Sequence, residues 1–152
     1  MTVELGDEQL IVISQMLEEA AFVFIEPIPT APLETAEIVF AKLTFAGPES
    51  GFITMGVSEE FATTLAASLL GVDPDDPDVS EKQKGAVGEI LNIIVGALME
   101  TMFGDKAVIN LGIPEVAIVD TQTLRQITEQ AQHRATFLTD DDYRLDFSVH
   151  LS

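Results

Sequence analysis

A carboxylate and an amide stand close together in the stretch Gly88-Glu89-Ile90-Leu91-Asn92. In an α-helix, the spacing of Glu89 and Asn92 puts both side chains on one face. A carboxylate can pair with a cation, and an amide can accept a hydrogen bond through its oxygen while its NH₂ group donates. The pair is therefore suited to holding a partner and orienting a small molecule, although two polar residues can also be the ordinary solvated edge of a helix.

The surrounding segment predicts a long helix that positions this pair. Ser80-Glu81-Lys82-Gln83 has the pattern of a capping box, and Gly104 is expected to end the helix after Phe103. Apolar residues occupy more than half of the helix circumference, so much of the helix should be buried. The other residues recur at steps of three and four and form one stripe along the helix. This stripe consists of Gly85, Gly88 or Glu89, Asn92 and Gly96.

The glycines of this stripe need an explanation, because a glycine inside a helix costs roughly 1 kcal/mol relative to alanine. Gly85, Gly88 and Gly96 are expected to allow another surface to approach the helix backbone. That surface could belong to a partner protein, to a second copy of the chain, or to a neighbouring helix of the same fold.

Composition limits the classes of function. The chain has 152 residues, of which 47% are hydrophobic, and this is enough for one domain with a packed core. It has no cysteine, which excludes disulfides and thiolate chemistry and fits a cytoplasmic protein. Neither a secretory signal nor an uninterrupted apolar membrane span is visible.

The charge balance is strongly acidic. Seven Lys and Arg stand against 26 Asp and Glu, giving a formal net charge of −19. Such a charge should repel nucleic acid and anionic membrane surfaces. It favours a basic surface on a partner protein, or it serves solubility alone.

The order of predicted elements indicates an α+β fold, with an antiparallel sheet packed against long helices. A first helix capped by Asp7 is expected over residues 8–24, followed by an extended proline-containing segment over 26–32. Residues 36–45 and 51–57 predict a hairpin, and Ser58 should cap a second helix. After the long helix, short strands are expected over 106–111 and 115–119, with two more over 134–138 and 143–151. Residues 121–132 fit either a short helix or a connection.

Other sites with chemical potential are weaker. Residues 72–79 contain four aspartates, but they lack the central glycine and distal glutamate of a calcium loop. His133 and His150 are far apart in strand-like segments, so neither is expected to bind a metal. No metal or cofactor of its own is therefore predicted.

The residues of the long helix resemble the CheC, CheX and FliY phosphatases of bacterial chemotaxis. The motif of that family places Glu-x-x-Asn on a long helix and a proline in the segment that follows. Here the motif is Glu89-Ile90-Leu91-Asn92, and Pro114 follows in Leu111-Gly112-Ile113-Pro114. The single motif is similar to the CheX type, whereas the CheC type has two. Gly85 departs from the family, which often has Asp or Ser at this position.

The resemblance implies that residues 1–152 are one CheX-like domain that dephosphorylates the aspartyl phosphate of a CheY-like response regulator. In this reading Asn92 positions the attacking water, and Glu89 pairs with a lysine of the regulator. Mg²⁺ is expected on the regulator, while Gly85, Gly88 and Gly96 admit its loops. The resemblance also implies a homodimer in the cytoplasm. The alternatives are a non-catalytic module that docks a signalling or flagellar protein, and a structural homodimer that meets at the glycine stripe.

Overall fold

A computed structural model describes residues 3–29 and 36–152 of the chain. Part of the predicted proline-containing segment, residues 30–35, lies outside the described residues. The helices are α1 (Asp7–Ala21), α2 (Glu59–Leu70), α3 (Pro77–Phe103) and α4 (Thr121–Glu129). The strands are β1 (Val3–Glu4), β2 (Ile25–Ile28), β3 (Glu37–Ala46), β4 (Ser50–Ser58), β5 (Asn110–Leu111), β6 (Glu115–Asp120), β7 (His133–Thr139) and β8 (Arg144–Leu151).

The strands form one sheet whose central order is β7-β8-β4-β3. At one edge β1 and β2 both pair with β7, and at the other edge β5 and β6 both pair with β3. Every pairing is antiparallel except that of the two-residue β1. This arrangement confirms the predicted α+β fold and the predicted hairpin of β3 and β4.

Alternation along β3 separates the two faces of the sheet. Val39, Ala41 and Leu43 join the main core, which they share with residues of α1, α2 and α3. Ile38 and Phe40 point to the opposite face, where they pack against Leu124 of α4. The site helix therefore lies in a three-helix layer on one face, and α4 lies on the other.

Helix α3 packs against α1, α2 and β3, so it is the central helix of its layer. Its length and mean hydropathy of 1.5 over the most apolar window would suffice for a membrane span, but half of that window is buried in the protein. The buried core helix of a globular protein can have the same length and hydropathy. The burial therefore assigns the apolar residues of α3 to the core.

The predicted start of α3 at Ser80 is wrong, because the helix already begins at Pro77. Asp76 is the N-cap, and its side chain accepts a hydrogen bond of 2.9 Å from the backbone N–H of Asp78. Proline at the first helical position costs no hydrogen bond and favours the helical φ. Asp76-Pro77 is therefore a stronger signal for the start of the helix than Ser80. The predicted end is confirmed, since Gly104 follows Phe103 as the C-cap.

The first helix also differs at both ends from its prediction. Gly6 is its N-cap and Asp7 already lies in the first turn. The helix ends at Ala21, before the predicted Phe24, because Phe22 adopts a left-handed conformation with φ of 55°. The chain then enters β2, whose Pro27 lies in a strand at the sheet edge, where a missing N–H is tolerated.

The remaining elements refine the prediction. Ser58 caps α2 as expected, accepting a 3.1 Å hydrogen bond from the N–H of Phe61. The strand predicted over residues 106–111 shrinks to β5, while the strand over 115–119 is confirmed as β6. The ambiguous segment after β6 is the helix α4, capped by Asp120.

Candidate functional site

The predicted stripe of α3 is divided into three environments. Glu89, Gly85 and Gly96 are exposed to solvent, and Asn92 is half-buried. Gly88, by contrast, is buried. Four of the five residues predicted for the site therefore lie on an accessible strip of α3, on the side of the helix turned away from the core.

Glu89 and Asn92 lie close together on this strip. Three residues of an α-helix advance about 4.5 Å along the axis and leave the two side chains about 60° apart around it. Neither side chain has a hydrogen bond or an ion pair with another described residue. A carboxylate and an amide are thus presented together with their hydrogen-bonding capacity unused by the described parts of the fold.

Gly88 makes the contact that separates it from the other two glycines. A Cβ atom at this position would lie 3.2 Å from Cβ of Pro114 and 3.3 Å from Cγ2 of Val116. The chain's own segment at the start of β6 therefore approaches the helix here. The prediction that Gly88 meets a partner is untested, but its lack of a side chain already has an explanation inside the fold.

The other two glycines have no such neighbour. A Cβ at Gly85 or at Gly96 would have no non-local described atom within 4 Å. Packing against a neighbouring helix of the same fold therefore does not explain either glycine. Their open surroundings leave room for an approaching molecule, which is the arrangement that the docking interpretation requires.

The segment Leu111–Pro114 is held beside the pair by β3. The N–H of Gly112 donates a 2.9 Å hydrogen bond to the carbonyl of Thr44, and a Cβ at Gly112 would collide with the Thr44 hydroxyl oxygen. Pro114 then reaches Gly88, one helical turn before Asn92. Around the helix Asn92 lies nearer than Glu89 to Gly88 and this contact, in line with Asn92 being half-buried and Glu89 exposed.

Sequence reasoning missed two features of this surface. Ile113 is 87% exposed between Gly112 and Pro114, and its only signal in the sequence is a large apolar residue within a turn. An open cavity of about 250 Å³ also begins at Gly96, one turn after Asn92. It is lined by Gly96, Met99, Glu100, Gly104, Asp105, Ala107, Ile109 and Leu111.

The two histidines lie away from this strip. His150 is buried on the face of the sheet opposite α3, where its Nε2 lies 2.9 Å from Oγ of Ser148 and its ring stacks on Phe52. Burial, followed by the charge of Lys42, lowers the pKa of His150 below its usual 6.5. The fold therefore favours the neutral form of His150 within this packed polar cluster.

No group of three or more His, Asp or Glu in the described ranges is arranged to hold a metal ion. The absence of a metal or cofactor of its own stays a prediction.

Comparison with known proteins identifies the family. The sequence pattern of the family described as "Chemotaxis phosphatase CheX" matches residues 39–138. The matched part is most of the chain and contains nearly all of the hairpin, α3 and the Leu111–Pro114 segment. The chain belongs to the chemotaxis phosphatase CheX family. A search of curated proteins finds no match.

Solved structures share the fold. The chain is similar to the chemotaxis protein CheX from Vibrio vulnificus, with a TM-score of 0.74 and 18% identity over 95% of this chain and 93% of that one. It is also similar to CheX from Desulfovibrio desulfuricans, with a TM-score of 0.67 and 18% identity over 93% and 96% of the two chains.

A third similar structure contains a partner. It is the complex of CheX with CheY, BeF₃ and Mg²⁺ from Borrelia burgdorferi, with a TM-score of 0.68 and 18% identity over 94% of each chain. At this identity the likeness shows the fold, whereas the CheY complex is a property of the Borrelia protein.

Proposed function

We propose that this protein accelerates hydrolysis of the aspartyl phosphate of a CheY-like response regulator in cytoplasmic two-component signalling. One observation carries the proposal: Glu89 and Asn92 lie together on the accessible strip of α3 with no described partner for either side chain. Membership of the CheX family supplies the class of reaction.

Asn92 orients the attacking water in this proposal. Phosphoryl transfer depends mainly on positioning and on neutralisation of charge, so a helper protein needs to supply little covalent chemistry. The amide oxygen of Asn92 accepts a hydrogen bond from the water, and its NH₂ group contacts the phosphoryl oxygens. Mg²⁺ held by the regulator would neutralise those oxygens, so the proposed step assigns no metal to this chain.

Glu89 fixes the docking geometry. Its carboxylate pairs with a lysine at the phosphorylation site of the regulator and forms a charge-assisted hydrogen bond. Because Glu89 is exposed about one turn before Asn92, this bond places the amide next to the phosphoryl group.

The open glycines admit the loops of the regulator on either side of the pair. Gly85 lies one turn before Glu89, and Gly96 opens into the cavity beside the end of α3. Gly88 differs from them, because it lies against Pro114 and Val116 of the chain itself.

The test measures phosphate release from a phosphorylated CheY-like regulator in Mg²⁺. The wild-type protein should accelerate the decay, and Asn92→Ala should return it almost to the rate of the regulator alone. Binding to the regulator loaded with beryllofluoride, a stable mimic of the phosphoryl group, should survive in Asn92→Ala and weaken in Glu89→Ala. The matched controls are Gln126→Ala and Glu26→Ala, which remove an amide and a carboxylate from exposed positions away from the accessible strip and from the cavity at Gly96.

The two readouts separate catalysis from docking. Undiminished decay with Asn92→Ala would refute the catalytic role of the amide. Binding of the loaded regulator without any acceleration by the wild-type protein would instead assign the chain to the non-catalytic docking modules.

We also propose a homodimer formed through β6. None of the described strands pairs with the outer edge of β6, and Ala117 and Ile118 are exposed there. The opposite edge of the sheet is protected, because β2 carries Glu26 and Pro27. Sedimentation across a range of concentrations should show a dimer, and Ile118→Pro should dissociate it. The control Glu26→Pro, on the opposite edge strand β2, should leave the dimer intact.

A further inference from the structure

Two phenylalanines project into solvent at the end of α1. Phe22 is 77% exposed and Phe24 is 57% exposed, although Val23 between them is buried. The alternation shows that the chain is anchored here while both rings face outward. Exposed aromatic rings on a fixed backbone are typical of protein interaction surfaces.

The backbone of Phe22 gives a second reason to look for a function. It has a φ of 55°, a conformation that bulky side chains rarely adopt. The equivalent positions after α2 and α3 carry Gly71 and Gly104. Glycine would therefore suit this cap better than phenylalanine, and the exposed ring gains little from packing in the fold. Such an outlier supports a hypothesis of function.

The two rings border a cavity of about 150 Å³. Its wall includes Phe61 of α2 and Tyr143, whose rings stack with centroids 5.4 Å apart. Thr64, Ser68 and Thr139 add polar groups to the lining. We name the exposed rings of Phe22 and Phe24 together with this cavity the phenylalanine surface.

Carboxylates surround the phenylalanine surface. Asp140 and Asp141 line the cavity, and the exposed Glu18 and Glu19 lie in the last turn of α1. None of the described lining residues is basic, and the last turn of α1 contains no basic residue either. The C-terminal end of a helix carries a partial negative charge, so these glutamates sit where a cation is preferred.

We propose that the phenylalanine surface docks a cationic amphipathic segment of a partner protein. Apolar side chains of that segment would cover the two rings and enter the cavity, while its Lys or Arg side chains would meet the four carboxylates. The occupant is assigned by charge complementarity, because an acidic or neutral segment would leave these carboxylates without counter-charges. An interaction of this kind also gives a specific use to part of the net charge of −19.

The phenylalanine surface is separate from the accessible strip of α3. It adjoins β2 and the β7–β8 turn, whereas the strip adjoins β6 at the other edge of the sheet. Both surfaces can therefore be occupied in the same molecule, and this inference does not depend on phosphatase activity.

The test uses the full chain and a fluorescent amphipathic helical peptide of leucine and lysine. Fluorescence anisotropy should show binding, and the double variant Phe22→Gly/Phe24→Ser should weaken it by about tenfold or more. Phe22→Gly should not lower the melting temperature, since glycine accepts the left-handed conformation. Asp140→Asn/Asp141→Asn should weaken binding and reduce its dependence on salt. A peptide with glutamate in place of lysine should not bind.

The matched control is Ile113→Ser, which removes an exposed apolar side chain from the other edge of the sheet. Unchanged affinity in Phe22→Gly/Phe24→Ser, or an equal loss in Ile113→Ser, would overturn the proposal because binding would then be non-specific. Dissociation of a wild-type dimer by Phe22→Gly/Phe24→Ser would overturn it as well, by assigning the surface to a second copy of the chain.

Discussion

Leu91 and Asn92 are neighbours in the chain, but their side chains, about 100° apart around α3, have different surroundings. Leu91 is fully buried among α1, α2 and the sheet, whereas Asn92 borders the accessible strip without a described hydrogen-bond partner. One side of the helix therefore contributes to folding, and the other is available for chemistry. Substitutions on the two sides should separate stability from activity.

Gly88 lies at the boundary between these sides and shares properties of both. It is buried like Leu91, yet its contact is with Pro114 and Val116, next to the accessible strip. A change at Gly88 should therefore affect both the packing of β6 and the surroundings of Asn92.

The largest expected difference is between Leu91→Ala and Asn92→Ala. Truncation of a buried leucine removes apolar burial and leaves a cavity, so unfolding should become easier by about 2–5 kcal/mol. Asn92→Ala should change the free energy of unfolding by about 0.5 kcal/mol or less, because no described partner is lost. Urea denaturation measures both values. Comparable destabilisation by the two variants would show that Asn92 has a structural role.

The next comparison is between the glycines of the stripe. Gly85→Ala should increase the free energy of unfolding by up to about 1 kcal/mol, since alanine favours the helix and its Cβ meets open space. Gly88→Ala should gain less or lose stability, because its Cβ would press on Pro114 and Val116.

Gly88→Ala should also lower the proposed phosphatase activity more than Gly85→Ala does, by displacing the Pro114 segment that packs against the helix. Denaturation and phosphate release are measured on the same preparations. Equal effects of the two substitutions on stability and on activity would contradict the division of the stripe.

The smallest expected effect concerns pH and lies on the face of the sheet away from α3. The fold lowers the pKa of His150 through burial and Lys42, while the unfolded chain keeps the usual value of 6.5. Below about pH 6.5 the unfolded state therefore binds a proton that the folded state resists, and stability is lost as the pH falls. Above that pH the contribution of His150 to the free energy of unfolding is fully retained.

His150→Gln should flatten this part of the pH profile relative to wild type, as measured by thermal unfolding between pH 5.5 and 7.5. Binding of the beryllofluoride-loaded regulator at fixed pH should be unchanged, because His150 is distant from the accessible strip. An identical profile in both proteins would show that other groups cause the pH dependence.

Local signals were sufficient for much of the fold. Alternation and a short turn predicted the β3–β4 hairpin, and Ser58 predicted the start of α2, because these features depend on nearby residues. The start of α3 was misplaced since two capping signals compete there, Asp76-Pro77 and Ser80. The sequence does not predict the end of α1, because Phe22 occupies a left-handed position in which glycine is the usual residue.

By itself, the sequence determined that a long amphipathic helix carries Glu89 and Asn92 on one face, because helical periodicity is a local property. Only the tertiary structure decided which glycines face solvent. Gly85, Gly88 and Gly96 follow the same spacing, yet Pro114 reaches Gly88 alone. That contact depends on how β3 and β6 bring a distant segment against the helix. Such long-range packing produces no periodic pattern in the sequence.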